Sequence, residues 1–153
     1  MASLAELKRR LKKVSLEGLQ IEMRNIITSD PNVYDAKMYE FERGLTPDLD
    51  RIGVYRDVDY AVMKQQMNPL AGGDVDLILT GSFTSQLFIQ YLGDSRYQFD
   101  SRDSKAPMLF SRNYYLGVNG SVLRGLNKET FDDLQKKLYA PELIRHIKKI
   151  TNL

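Results

Sequence analysis

The sequence predicts an α+β fold in which a long N-terminal helix and C-terminal helices surround a small antiparallel β-sheet. Apolar residues recur at spacings of three and four in residues 1–44 and 127–153, but alternate with polar residues in residues 75–100. Composition agrees, because the 153 residues are 42% hydrophobic, 27% charged and free of cysteine. These values are typical of an ordinary globular protein and exclude a disulfide scaffold and thiolate chemistry.

The N-terminal part carries helix signals at both of its ends. Residues 3–28 are expected to form one long helix, with Ser3 as N-cap, Glu6 completing a capping box, and any bend near Gly18. Asp30 and Pro31 are expected to cap and begin a second helix that ends at Gly44. Its expected buried stripe consists of Tyr34, Met38 and Phe41.

The middle of the chain changes from turns to strands. Residues 45–73 are rich in turn signals, with one short helix expected over residues 58–66. A strand is expected over residues 75–79, and a hairpin with one buried face over the residues up to 100. The face predicted to be buried contains Phe83, Leu87, Ile89 and Tyr91.

The last third is predicted to return to helix. A short helix is expected over residues 105–114, then a glycine-rich loop, a helix capped by Asn127, and a final helix opened by Pro141. The inward stripe of that final helix is expected to be Leu143, Ile144, Ile147 and Ile150. We therefore expect one domain over residues 1–153, with a helical N-terminal arm (1–44), a hairpin region (75–100) and C-terminal helices (127–153).

Charge is distributed unevenly along the chain. The formal net charge is only +2, but residues 1–29 and 101–153 are basic whereas residues 30–100 are acidic. One interpretation is that copies of the chain pack head-to-tail in a ring, basic surface on acidic surface. The other is that solvated helices are rich in lysine and loops are rich in aspartate.

The densest basic patch is a candidate assembly or DNA-contact surface. It comprises Lys8, Arg9, Arg10, Lys12 and Lys13. Such a patch can contact DNA phosphates, but it has no interleaved aromatic residues and also suits the solvated face of a helix.

No catalytic, cofactor-binding or metal site is predicted. Thr80 and Gly81 follow a predicted strand without the spacing of a phosphate loop, so they are interpreted as a structural turn. The single histidine, His146, has no nucleophilic partner that it could activate. The closely spaced pairs of aspartates lack the further ligands that a metal site needs. The chain is therefore expected not to be an enzyme, although a small hydrolase with an unrecognised site is a distant alternative. Neither a membrane span nor a secretory signal is expected.

Several short motifs, in order, resemble those of small virion proteins of tailed bacteriophages, notably phages of Bacteroidetes hosts. They are Met38-Tyr39-Glu40-Phe41-Glu42-Arg43-Gly44-Leu45, Ile52-Gly53-Val54-Tyr55, Asp59-Tyr60-Ala61-Val62-Met63-Lys64, Leu77-Ile78-Leu79-Thr80-Gly81-Ser82-Phe83 before a hairpin, and Gly125-Leu126-Asn127-Lys128-Glu129. In plan the chain is similar to neck, head–tail connector and tail-completion proteins. The resemblance covers about residues 38–138, and the chain departs from it at residues 68–74 and 113–123 and after Pro141.

The resemblance implies assembly rather than catalysis. It implies a ring of identical copies between the portal and the tail, in contact with other neck or tail proteins, with genomic DNA present only as it passes the lumen. The expected location is the neck or tail of a virion that is assembled in the bacterial cytoplasm, in either a long-tailed or a short-tailed phage. The alternative function is a small nucleic-acid-binding accessory protein that uses the basic N-terminal helix.

Overall fold

The computed structural model describes residues 3–78, 81–94, 96–115 and 117–152. It has the predicted α+β class, with helices and a two-stranded antiparallel sheet. The chain forms two compact units. Residues 1–30 and 132–153 make up the helical unit, and residues 31–131 make up the mixed unit. The expectation of one domain stays a prediction.

The N-terminal segment is two helices, so the prediction of one long helix was wrong. Helix α1 spans Leu4–Leu11 and helix α2 spans Leu16–Ser29. The break falls before Gly18 because Ser15 caps α2, its hydroxyl accepting from the Gly18 N–H at 3.0 Å. Ser3 caps α1 as predicted, its hydroxyl accepting from the Glu6 N–H at 3.2 Å.

The helical unit is completed by a π-helical turn at Gln135–Tyr139 and helix α8 at Ala140–Thr151. Pro141 lies in the first turn of α8, as predicted, and α8 follows the π turn directly. Proline has no N–H for the preceding turn, and a π turn tolerates that loss. Ile144 is exposed rather than inward, whereas Tyr139 and Thr151 are fully buried.

The mixed unit begins with helix α3 (Pro31–Glu42), which starts at the predicted proline. The predicted stop residue, Gly44, follows the helix with a φ of +65°. Helix α4 (Val58–Met67) matches the predicted short helix and is followed by a 3₁₀ turn at Pro69–Ala71. The buried side of α3 differs from the prediction. It contains Val33, Lys37, Glu40 and Phe41, whereas Tyr34 and Met38 are only half-buried.

The predicted hairpin is confirmed, but the prediction for the segment that precedes it was wrong. Residues 75–78 form no strand, Leu79 and Thr80 lie outside the described residues, and Ser82–Ser85 form the short helix α5. Strand β1 (Leu87–Gly93) pairs antiparallel with β2 (Arg96–Ser101), with Ile89 opposite Phe99 and both buried. A register irregularity between Tyr91 and Gly93 precedes the turn.

The rest of the mixed unit contains helix α6 (Ala106–Ser111), a 3₁₀ turn at Gly120–Arg124 and helix α7 (Lys128–Leu134), whose last residues belong to the helical unit. Asn127 caps α7 as predicted, its side-chain oxygen accepting from the Thr130 N–H at 3.0 Å. The core of the unit is one apolar cluster centred on Phe41, Ile52, Phe83, Phe110 and Leu123.

Candidate functional site

The mixed unit contains a pocket of about 270 Å³. Its walls come from α4, α5, α6 and the loop that contains Val75, Asp76 and Leu77. The polar side chains around it include three tyrosines, two aspartates and three cations, among them Tyr55, Lys64, Asp76, Asp103, Lys105 and Arg112. Sequence reasoning did not identify this site, because its polar residues are widely separated along the chain.

A buried ion pair forms one wall of the pocket. The Lys64 and Asp76 side chains are 2% and 1% exposed, and Nζ lies 2.5 Å from Oδ1. Lys64 also donates to the Ile78 carbonyl, and Asp76 accepts from the Asn68 side chain at 2.9 Å and from the Ile78 N–H at 3.1 Å. Because every charge in this network has a partner, the pair holds α4 against the loop that follows it.

A second polar contact, between Ser82 and Asp103, also lines the pocket. The Ser82 hydroxyl donates to Asp103 Oδ2 at 2.5 Å, and the backbone N–H of Lys105 donates to Oδ1 at 2.8 Å. The hydrogen bond from Ser82 lowers the pKa of Asp103, and the Lys105 N–H and charge lower it further. A carboxylate with a lowered pKa is a weak general base, so this pair is poorly suited to activate a serine nucleophile.

Burial also changes the tyrosines of the pocket. Desolvation raises the pKa of Tyr55 well above its ordinary value, and raises that of Tyr114 as well. The Tyr55 hydroxyl accepts from the Asp76 N–H at 3.3 Å, and the Tyr114 hydroxyl donates to the Leu109 carbonyl at 3.1 Å. Both phenols therefore stay protonated across the physiological pH range and act as neutral polar groups.

A second buried pair, Lys37–Glu40, lies within the mixed unit and away from the pocket. Lys37 Nζ lies 2.6 Å from Glu40 Oε2 and donates to the Gly125 carbonyl at 2.5 Å. Glu40 Oε1 accepts from the Asn127 N–H at 3.0 Å. Burial lowers the pKa of Lys37 and raises that of Glu40, while their mutual attraction opposes both shifts. The pair ties α3 to the start of α7, which makes its role structural.

The predicted basic surface lies on α1 and the turn after it. Lys8, Arg9, Lys12 and Lys13 are exposed. Arg10 differs, because it lies 2.6 Å from Glu6 and donates to the Asn152 carbonyl at 2.9 Å within the helical unit. Helix α1 has no buried residue, and Leu4 and Leu11 of the predicted apolar stripe are exposed. Four of the five cations are thus available to a partner.

The predicted structural turn is described only from Gly81 onward, since Thr80 lies outside the described residues. Gly81 has φ of +77° and precedes α5. A Cβ at this position would meet nothing within 4 Å. Glycine is therefore favoured here by the backbone conformation rather than by a close approach.

Helix α4 turns apolar side chains toward solvent. It buries Lys64 on its inner side, whereas Val58, Val62, Met63 and Met67 are 74%, 49%, 40% and 54% exposed. We call these four residues the α4 apolar face. An exposed group of large apolar side chains on one short helix is typical of an interaction surface.

Among residues 3–78, 81–94, 96–115 and 117–152, no group of three or more histidine, aspartate or glutamate side chains is placed to hold a metal ion. Over the same ranges, none of the helices is long and apolar enough to cross a membrane. His146 lies 3.6 Å from Glu22 in the helical unit, as a half-buried helix-surface residue.

Comparison of the chain with protein-family models, with curated proteins and with solved structures finds no match in any of the three.

Proposed function

We propose that the chain is a non-enzymatic structural protein of a tailed-bacteriophage virion. In this proposal it forms a homo-oligomeric ring in the neck, connector or tail-completion region between portal and tail. The motif resemblance over residues 38–138 suggests the location, and the α4 apolar face is the observation that carries the assembly role. The proposed partners are copies of the chain, the portal and other neck or tail proteins, with DNA present only as it passes the lumen.

The α4 apolar face supports assembly through its energetic cost in a monomer. Fully burying one large aliphatic side chain contributes about 1.5–3 kcal/mol. Helix α4 forgoes this contribution at Val58 and Met67, which are more than half exposed, and uses its inner side for the charged Lys64. Contact with another copy would bury these apolar side chains and gain that free energy without disturbing the buried ion pair.

Charge supports a head-to-tail contact between neighbouring copies. Lys8, Arg9, Lys12 and Lys13 are exposed on one unit, and Asp48, Asp50, Asp57 and Asp59 are exposed on the other. Two members of this acidic group adjoin the α4 apolar face, because Asp57 caps α4 and Asp59 belongs to its first turn. A neighbour that approached this face with its basic surface would be steered electrostatically as well as held by apolar contact.

The assembly role is tested by charge substitution on α4. Val62→Glu and Met63→Glu place a carboxylate within the apolar face, so they should abolish rings while leaving the monomer folded. Gln20→Glu is the matched control, because Gln20 is an exposed polar residue of α2, outside the α4 apolar face. Light scattering after size-exclusion chromatography, with negative-stain electron microscopy, reads out the rings. A wild-type chain that stays monomeric at every concentration would overturn the proposal, and electron microscopy of the particle tests its location.

A second candidate function is nucleic-acid binding by the basic surface of α1. The observation that favours it is the exposure of Lys8, Arg9, Lys12 and Lys13, whose charges are available to phosphates. Binding of this kind weakens steeply with salt, and each lost phosphate contact lowers the salt slope by about 0.9. A DNA titration at several salt concentrations tests it, and binding without rings would favour this alternative.

A further inference from the structure

We propose that the pocket of the mixed unit binds a small carboxylate that has an apolar body. The site does not depend on ring assembly, because all the residues that line it belong to one unit of one chain.

The acceptors of the pocket are already occupied. Asp76 receives hydrogen bonds or ion pairs from Lys64, Asn68 and the Ile78 N–H. Asp103 receives hydrogen bonds from Ser82 and from the Lys105 N–H. A ligand that brought its own donors would therefore compete with these internal partners, which disfavours cationic ligands.

The donors of the pocket are not all occupied. Within the described part of the chain, neither Lys105 nor Arg112 has a carboxylate within the 4.0 Å of an ion pair. The Arg112 guanidinium instead lies over the Tyr114 ring, 5.3 Å from its centroid. The Tyr55 hydroxyl accepts from the Asp76 N–H, so its own hydrogen can be donated to a ligand. The pocket thus presents donors to whatever enters it.

The sum of the charges indicates a single negative charge on the ligand. The pocket is lined by three cations, Lys64, Lys105 and Arg112, and by two carboxylates, Asp76 and Asp103. One positive charge is therefore in excess. A carboxylate carries one negative charge, and arginine binds it through two parallel hydrogen bonds. A phosphate monoester carries about −1.5 to −2 at pH 7, which exceeds the positive charge available.

The walls indicate an apolar body. Leu77, Phe83, Met108 and Leu109 line the same pocket as the two cations. The volume of about 270 Å³ lies just below the range of about 300–1,000 Å³ for ligand sites. The pocket therefore suits a compact ligand, such as a short aliphatic or aromatic acid, rather than a nucleotide.

The probe for the test is hexanoate, with acetate and inorganic phosphate as comparisons at equal ionic strength. Methyl NMR of methionine reports binding, because Met108 lines the pocket and Met38 does not. Hexanoate should shift the Met108 signal in a saturable way and bind at least about tenfold more tightly than acetate, since each buried CH₂ contributes about 0.8 kcal/mol. Phosphate that binds as tightly as hexanoate, or hexanoate that produces no saturable shift, would overturn the proposal.

Variants then assign the charged groups. Arg112→Met and Lys105→Met should each weaken hexanoate binding by about tenfold or more, because each removes a charge-assisted hydrogen bond. Both side chains are exposed, so the fold should persist. Arg96→Met is the matched control, since Arg96 is an exposed cation of the same unit that does not line the pocket. If Arg96→Met weakened binding as much as the other two, the effect would be one of net charge, and the site would be wrong.

Discussion

Charge reversal on α1 separates the two candidate functions of the basic surface. The triple change Lys8→Glu, Arg9→Glu and Lys12→Glu carries the formal net charge from +2 to −4. All three side chains are exposed. Arg10 is left unchanged, because its contacts with Glu6 and the Asn152 carbonyl belong to the fold of the helical unit. We therefore expect the monomer to keep its secondary structure and most of its stability.

The size of the effect on assembly follows from the number of exposed pairs. One exposed ion pair contributes about 0–1 kcal/mol, so three pairs contribute at most about 3 kcal/mol at each contact between copies. Every 1.4 kcal/mol changes an association constant tenfold, so each contact should weaken by up to about a hundredfold. Closing a ring repeats this loss at every contact. Low salt should enlarge the defect, because the reversed charges repel the acidic residues of the neighbour.

Sedimentation velocity at two salt concentrations measures the assembly, and a DNA titration runs beside it. The control reverses Arg96, Arg102 and Lys136, which are exposed cations outside α1, and should leave rings intact. If the basic surface serves DNA instead, the α1 variant forms normal rings and loses a salt-dependent DNA affinity. Unchanged rings would refute the assembly role of this helix, whatever the DNA result.

Three further predictions concern the mixed unit. Gly81→Val should lower the free energy of unfolding by about 1–2 kcal/mol, because valine is strained at the positive φ of this position. Gly81→Asn should lower it by less, and equal denaturation midpoints for the two variants would contradict this prediction. Lys64→Met should cost about 3–5 kcal/mol by leaving Asp76 buried without its partner, and a second change of Asp76→Leu should recover part of that loss in urea unfolding. Burial raises the pKa of Tyr55 and Tyr114 in the folded state. The free energy of unfolding should therefore not depend on these tyrosines below their unfolded-state pKa of about 10, and it should fall as pH rises above that value. Absorbance titration should therefore show a late ionisation phase that shrinks in Tyr114→Phe.

The secondary structure of this chain is largely local information, which is why much of it could be predicted. Ser3 and Asn127 cap helices through hydrogen bonds to N–H groups three residues away, and Pro31 begins a helix because its φ suits the first turn. Alternation predicted the hairpin that pairs Ile89 with Phe99. The wrong prediction of one long N-terminal helix also has a local cause. The helical spacing of apolar residues continues through residues 12–15, but the cap at Ser15 starts a new helix there.

The candidate site could not be predicted, because its parts are distant in sequence. Lys64 is buried because Asp76 and the Ile78 carbonyl compensate its charge. With Lys64 on the inner side of α4, Val62 and Met63 lie exposed. Lys105 and Arg112 become ligand candidates only because folding brings them to a pocket whose acceptors are already used.

Composition, helix caps and hydrophobic period thus determined the α+β class and most of the elements, because these depend on neighbours within a few residues. Tertiary structure alone decided which charges are buried, which apolar side chains stay exposed and where a pocket opens. The physical reason is that a charged side chain can be buried only against a partner, and that partner is supplied by a different segment of the chain.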